Sequence, residues 1–221
     1  MDVIGQASRS YLPTVAALGD RQAVASYFDE LASRSVADVG ELQQWLKDQS
    51  ELDAALSEEG AWRYIRMTLD TRNEVAATAY QAFVNEVLPL AEEAGDKLNR
   101  KLMALPFAEQ VSGEGFGVYF RGIREQLRIF REANVPLQTE LRNMAQTYST
   151  TIGAMQVEWK GETITLPKAA AILESTDRNE REAIFRLIAA RRLNDADTID
   201  ALFTDMVALR HTIATNAGFT N

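Results

Sequence analysis

MQVEWKGETITL, residues 155–166, is the one stretch that reads as a strand pair in a chain otherwise patterned for helices. Met155, Val157 and Trp159 alternate with Gln156, Glu158 and Lys160, a period of two. Lys160-Gly161 supplies the turn, because glycine tolerates the positive φ of a tight hairpin. Ile164 and Leu166 then resume the alternation. Closing the chain at Lys160-Gly161 sets Trp159 opposite Glu162, Val157 opposite Ile164 and Met155 opposite Leu166. The apolar side chains share one face, and a lone hairpin is marginal in water, so that face must lie on helices. Pro167 opens the next helix, where its missing N–H costs nothing.

Working outward toward the N-terminus, Gly153 ends a helix that starts near Pro136 and carries Leu137, Leu141, Met144, Ala145 and Tyr148. Before it, residues 116–133 form a helix with two stripes. Phe116, Phe120, Ile123, Leu127 and Phe130 make the apolar one; Arg121, Arg124, Arg128 and Arg131 run beside it. Residues 105–115, LPFAEQVSGEG, are a loop. Upstream, Asp20 caps a helix to about Ser33, and Ser35 or Asp38 caps a second. Ser50 begins a third, with Leu52, Leu56, Trp62, Ile65 and Leu69 on one face. A fourth helix covers about 71–94, kinked by Pro89, and a short fifth covers 95–104. Residues 1–19 read as loosely structured. Toward the C-terminus, helices are expected at 167–174, 177–192 and 195–217. Thr176, Asn179 and Glu180 cap the second of these, and Gly218 with Phe219 closes the last. The expected fold is mainly all-α, a multi-helix antiparallel bundle with one β-hairpin near 154–166. Its expected parts are a loose 1–19, an acidic helical domain at 20–112, and helices plus hairpin at 113–221.

The formal net charge is −9, which argues against nucleic acid as the main partner. Residues 1–99 hold 17 acidic and 8 basic residues, whereas the remainder holds 15 of each, so the excess lies in the first part. There are no cysteines and one histidine, His211. A disulfide framework and a thiolate metal site are therefore excluded, and an imidazole-based zinc site lacks its ligands. No apolar run reaches the length of a membrane span, and the N-terminus lacks a secretory layout, from which a cytoplasmic home is expected. The acidic pairs Asp29-Glu30, Glu58-Glu59 and Glu92-Glu93 point about 100° apart on a helix and read as solvated faces. There is no G-x-S-x-G elbow, no Walker loop and no G-x-G-x-x-G; Gly113-Glu114-Gly115-Phe116-Gly117 reads as a connector. The binding candidates are Arg121, Arg124, Arg128 and Arg131, which could hold a carboxylate bidentately; the plainer expectation is that they pair with the acidic first helices.

The run TTIGAMQVEWKGETITLPKAA, followed by STDRNEREAIFRLIAARRLNDADTIDALFTDMVALRHTIATNAGFTN, resembles the M3 family of zinc metallopeptidases, within it the oligoendopeptidase F group. SYFDELASRSV, ELQQWLKDQSELDAALSEEGAWRYIRMTLDT and YFRGIREQLRIFREANVPLQTEL agree, so the likeness runs from about residue 20 onward. Members of that family carry H-E-x-x-H and a further glutamate in a later catalytic region, and no position here matches that motif. The resemblance implies the N-terminal portion of a zinc metalloendopeptidase that hydrolyses short peptides in a closed cavity. This segment would shape the cavity and be inactive alone, with no catalytic or metal residue of its own. Zinc, the oligopeptide substrate and the C-terminal catalytic region belong to the parent enzyme. Apolar surface meant for that region, with Phe203, Met206 and Phe219 as candidates, is expected to be exposed and to drive self-association. The alternative is a stand-alone, non-catalytic helical binding or scaffold protein that keeps the fold.

Overall fold

The computed structural model describes residues 9–70, 72–111 and 113–220. It is mainly helical, with one two-stranded antiparallel sheet. Helix α1 (Arg21–Ser33) starts at Asp20, whose side chain accepts a hydrogen bond from the Ala23 N–H and so satisfies one of the free donors of the first turn. Helix α2 (Val39–Leu69) starts the same way at Asp38, which accepts from Glu41. The expected break at Ser50 does not occur. No proline or glycine lies between Glu41 and Glu59, and Leu42, Trp45, Gln49, Leu52 and Leu56 form one continuous buried face. Ser50 therefore has no terminus to cap. The end of that stripe also differs from expectation: Trp62, Ile65 and Leu69 are exposed, and Met67 is the buried residue. Gly60 lies where α2 passes Phe83, and a Cβ there would stand 3.0 Å from the ring.

Helix α3 (Glu74–Ala82) is capped by Asn73 and continues through a π-helical turn, Phe83–Val87, into α4 (Leu88–Ala104). The start expected at Thr71 lies outside the described residues. Pro89 cannot donate to the ladder, and the helix answers with the wider turn just before it, in which the Leu88 N–H reaches the Phe83 carbonyl. The segment expected as a separate helix at 95–104 is the second half of α4.

Helix α5 (Phe116–Ile129) follows Gly115, whose φ of 91° is the left-handed conformation that favours glycine. Helix α6 (Asn134–Gly153) leads to strands β1 (Gln156–Trp159) and β2 (Glu162–Thr165). Their register pairs Val157 with Ile164 and Trp159 with Glu162, as the alternation requires. Lys160 and Gly161 both have positive φ, 50° and 87°, which is what a two-residue hairpin of this hand demands. Helix α7 (Leu166–Ile172) has Pro167 in its first turn. Asp177, rather than Thr176, caps α8 (Arg178–Leu193). Helix α9 (Ala196–Asn216) ends at Gly218, φ 91°, with the Gly218 N–H on the Thr215 carbonyl and the Phe219 N–H on Ala214, the expected Schellman pattern.

Two apolar clusters hold these elements. The larger joins α1, α2, the π turn, α4 and α5 through residues such as Phe28, Leu31, Trp45, Phe83, Leu98, Leu102, Phe120 and Ile123. The smaller lies between the hairpin, α7 and α8, through Met155, Val157, Ile164, Leu166, Ala169, Ile184 and Ile188. Helix α9 packs on α6 yet fully buries none of its residues, and Phe203, Val207 and Phe219 stay exposed. None of the described helices is long and apolar enough to cross a membrane.

Candidate functional site

Polar groups inside this fold are mostly matched. Asp48, 6% exposed, accepts from Arg34 at 2.5 Å and from the Gln44 side chain at 2.7 Å. Five residues further along α2, Asp53 has a different environment. It lines three adjoining hollows. The first, of about 1000 Å³, lies between α2, the segment at Arg9 and Ser10, and the start of α5. The second, of about 800 Å³, is walled by α2, α4, α5, α6 and the last turns of α9. The third, of about 430 Å³, lies between α2, α3, the π turn and α4.

Asp53 is exposed by surface area and sits where the three hollows meet, with protein around it on several sides. Desolvation by the protein around it pushes its carboxyl up to about 6 from 3.8, and among the described residues no hydrogen bond or opposite charge offsets it. Tyr119, on the facing wall, is raised by burial and then by the nearby Asp53 charge. The other carboxylates around these hollows are engaged. Glu51 accepts from the backbone N–H groups of Ser10, Tyr11 and Leu12, which hold it below its ordinary value despite burial. Glu58 faces Arg9 at 3.9 Å, Glu92 pairs with Arg142, and Asp96 with Arg100 at 2.6 Å.

This difference has a measurable consequence. In the unfolded chain the Asp53 carboxyl takes its ordinary 3.8; in the fold it stands near 6. Between these values the folded chain holds the proton more tightly, so ionisation costs stability as pH rises through the window. Thermal denaturation of the wild type and Asp53→Asn should give equal melting temperatures below about pH 4 and a more stable variant at pH 7. A variant less stable at pH 7 would show that the carboxylate has a stabilising partner.

Three side chains in the wall of the second hollow carry buried oxygens that have no hydrogen-bond partner among the described residues. Gln49 is 6% exposed and its Oε1 has no hydrogen-bond partner. Glu92 Oε2 and Asn99 Oδ1 are likewise buried and unpartnered. The rest of the lining mixes apolar residues such as Ala91, Ile123, Ile129 and Phe219 with polar and charged ones, among them Asp96, Gln126, Gln138, Arg131 and Arg210. Tyr119 and Ile129 line it ten residues apart on α5, about 15 Å at 1.5 Å per residue. The hollow is thus elongated, with Asp53 and Tyr119 toward one end of α5 and Arg131 beyond the other.

The four arginines read from the sequence do not form one site. Arg131 lines the hollow and donates to the carbonyls of Arg128 and Phe130. Arg128 pairs with Glu125 on its own helix and lies over the Phe219 ring, 5.6 Å from its centre. Arg124 pairs with Glu109, just before α5, and Arg121 is exposed. The acidic pairs expected as solvated faces each commit one member to an arginine: Glu30 to Arg34, Glu59 to Arg63 and the half-buried Glu92 to Arg142. His211 is exposed on α9. Among the described residues no three His, Asp or Glu side chains converge as metal ligands, so the donor set here does not fit zinc.

Asp53, Gln49 and Tyr119 carry no signal in the sequence, and Glu92, read there as part of a solvated face, is half-buried. Their common signal is tertiary: α2, α4 and α5 bring them to one hollow.

The sequence profile of the Peptidase M3 N-terminal domain matches residues 18–130, ending within one residue of the end of α5. No curated protein sequence matches this one. Three solved structures share the fold. One, assigned as an oligoendopeptidase F, has a TM-score of 0.84 and 22% identity, over 91% of this chain and 36% of its own. Another, assigned as an oligoendopeptidase F from Bacillus anthracis str. Ames, has a TM-score of 0.83 and 19% identity, over 97% and 40%. PZ peptidase A with an inhibitor has a TM-score of 0.78 and 22% identity, over 97% and 37%. The chain spans well under half the length of each.

Proposed function

Because the chain belongs to the Peptidase M3 N-terminal domain family, we propose that it forms one wall of the peptide-holding cavity of an oligoendopeptidase F-like metallopeptidase. The observation that carries this reading is the elongated hollow of about 800 Å³ between α2, α4, α5 and α6. Its length of about 15 Å along α5 suits four or five residues of extended peptide at about 3.3 Å each. Apolar patches along it accept side chains, and polar side chains in its wall such as Gln126 and Gln138 can hydrogen-bond a peptide. A slot of this size admits an unfolded segment and excludes a folded domain.

On this reading the hydrolytic zinc, which polarises the scissile carbonyl, and the glutamate that activates water belong to the catalytic region of the M3 enzyme. The residues of this chain bind and orient; they supply no metal ligand and no base. The 221-residue chain should therefore bind oligopeptides saturably and leave them intact. Isothermal titration with unstructured hexapeptides should give dissociation constants below about 1 mM. Incubation of the same peptides with the chain and added zinc should give no chelator-sensitive cleavage. Robust zinc-dependent turnover would contradict the assignment of chemistry elsewhere, and no binding at all would contradict the cavity wall.

A further inference from the structure

Resting on the peptide-cavity reading, we propose that the first hollow, of about 1000 Å³, is a second compartment of the same channel. It takes a large apolar side chain, aromatic or branched aliphatic, from a peptide too long for the second hollow alone.

The two hollows adjoin where Gln49, Asp53 and Tyr119 line both, so a chain seated in the second runs on into the first. Gln43 and Glu58 line the first hollow fifteen residues apart on α2, about 22 Å at 1.5 Å per residue. Its inner surface is mostly apolar. On the α2 side, Leu46 and Ala55 are buried and Ala54 is short, which leaves a low floor. Across it stand Phe116 and Tyr119 at the start of α5, their ring centres 6.4 Å apart and their planes at 86°. Tyr119 is 38% exposed even though its ring meets the buried Phe120 edge to face. Two part-open rings above a floor of short side chains leave a gap that one flat or branched side chain fills. The charges at the rim are answered from within the fold. Arg9 faces Glu58 at 3.9 Å, and Glu51 accepts from the N–H groups of Ser10, Tyr11 and Leu12. Lys47 and Asp53 add one charge of each sign. The bonds to Glu51, with Leu12 4% exposed beside them, pin the Arg9–Ser10 wall to α2. The compartment is therefore formed before a ligand arrives. A balanced rim over an apolar interior selects by apolar surface and not by charge.

The test compares one neutral, unstructured hexapeptide with nonapeptides that extend it by Ser-Phe-Ser or Ser-Ser-Ser, at the amino or the carboxyl end. All are acetylated and amidated. Titration into the wild-type chain should show one of the two phenylalanine nonapeptides binding about tenfold more tightly than the hexapeptide and than its serine counterpart. The end that gains gives the direction of the peptide in the channel. Ser50 and Ala54 are exposed on α2 and line the first hollow and neither of the others. In Ala54→Trp and Ser50→Trp, whose indoles enter that hollow, the advantage should fall below about twofold, with hexapeptide affinity unchanged. Either variant that keeps the wild-type melting temperature suffices. Hexapeptide binding with no gain from either phenylalanine extension overturns the compartment and leaves the cavity wall standing. A gain that survives both tryptophan substitutions also overturns it, because the phenylalanine then lodges elsewhere. Failure of every peptide to bind overturns both readings.

Discussion

Trp45→Ala should cost about 3–5 kcal/mol of stability and lower the melting temperature by roughly 6–20 °C. Trp45 is 1% exposed and sits inside the larger apolar cluster. Its indole N–H donates to the Leu31 carbonyl at 2.9 Å. Truncation leaves a ring-sized cavity at the α1–α2 contact and removes a donor from a carbonyl at the end of α1, where no intrahelical partner exists. Chemical denaturation by circular dichroism measures the change. A loss below about 1 kcal/mol would show that α1 and α2 repack without the ring.

Lys101→Met should cost about 2–3 kcal/mol, a large effect for a substitution near the surface. The ammonium donates to three carbonyls at the end of α1: Leu31 at 2.9 Å, Ala32 at 2.8 Å and Arg34 at 2.5 Å. Burial, then repulsion from Arg34, lowers its pKa, so the site holds a cation against some resistance. The helix end supplies the compensation, with partial negative charge and unfilled acceptors in one place. Methionine keeps the stem but offers no donor. Arginine should rescue poorly, because a planar fork does not converge on three carbonyls as an ammonium does. Lys101 Nζ also stands 5.6 Å from the centre of the Trp45 ring. The two substitutions touch one network, so the double variant should lose less than the sum of the single ones.

These two residues illustrate which parts of the fold the amino acids disclose. Trp45 is legible as an inward residue from its spacing with Val39, Leu42 and Leu46 in the second expected helix. Lys101 is not legible as a cap for α1, because its partners lie about 70 positions earlier in the chain. The hairpin was readable to its register, since a period of two and a Lys-Gly turn leave a single alignment. The unbroken course of α2 was not, because a serine in mid-helix looks like a cap until the next apolar turn is seen to continue the same face. At Pro89 the chemistry was legible and the outcome was not. The missing donor predicts a disturbed ladder, and the chain met it with a π turn.

The candidate site was harder to read. The alignment of Arg121, Arg124, Arg128 and Arg131 along one helix is a matter of helical geometry, but its use depends on what packs against α5. Arg128 with Glu125 is a pairing three residues apart that the sequence does contain. Asp53, in LDAAL, looks like any exposed helix carboxylate. What sets it apart is its place at the junction of three hollows, a property of the folded molecule alone.

The central claim is that the hollow between α2, α4, α5 and α6 holds peptide. Gly95 lines it on α4, and a Cβ there would meet nothing within 4 Å, so a large side chain can enter the hollow without displacing the helix. The direct measurement is hexapeptide binding to the wild type and to Gly95→Trp, with melting temperatures recorded alongside. The expected result is a variant at least as stable as the wild type, since glycine is the poorer helix former, with affinity reduced at least about tenfold. Undiminished binding with the hollow plugged would contradict the account.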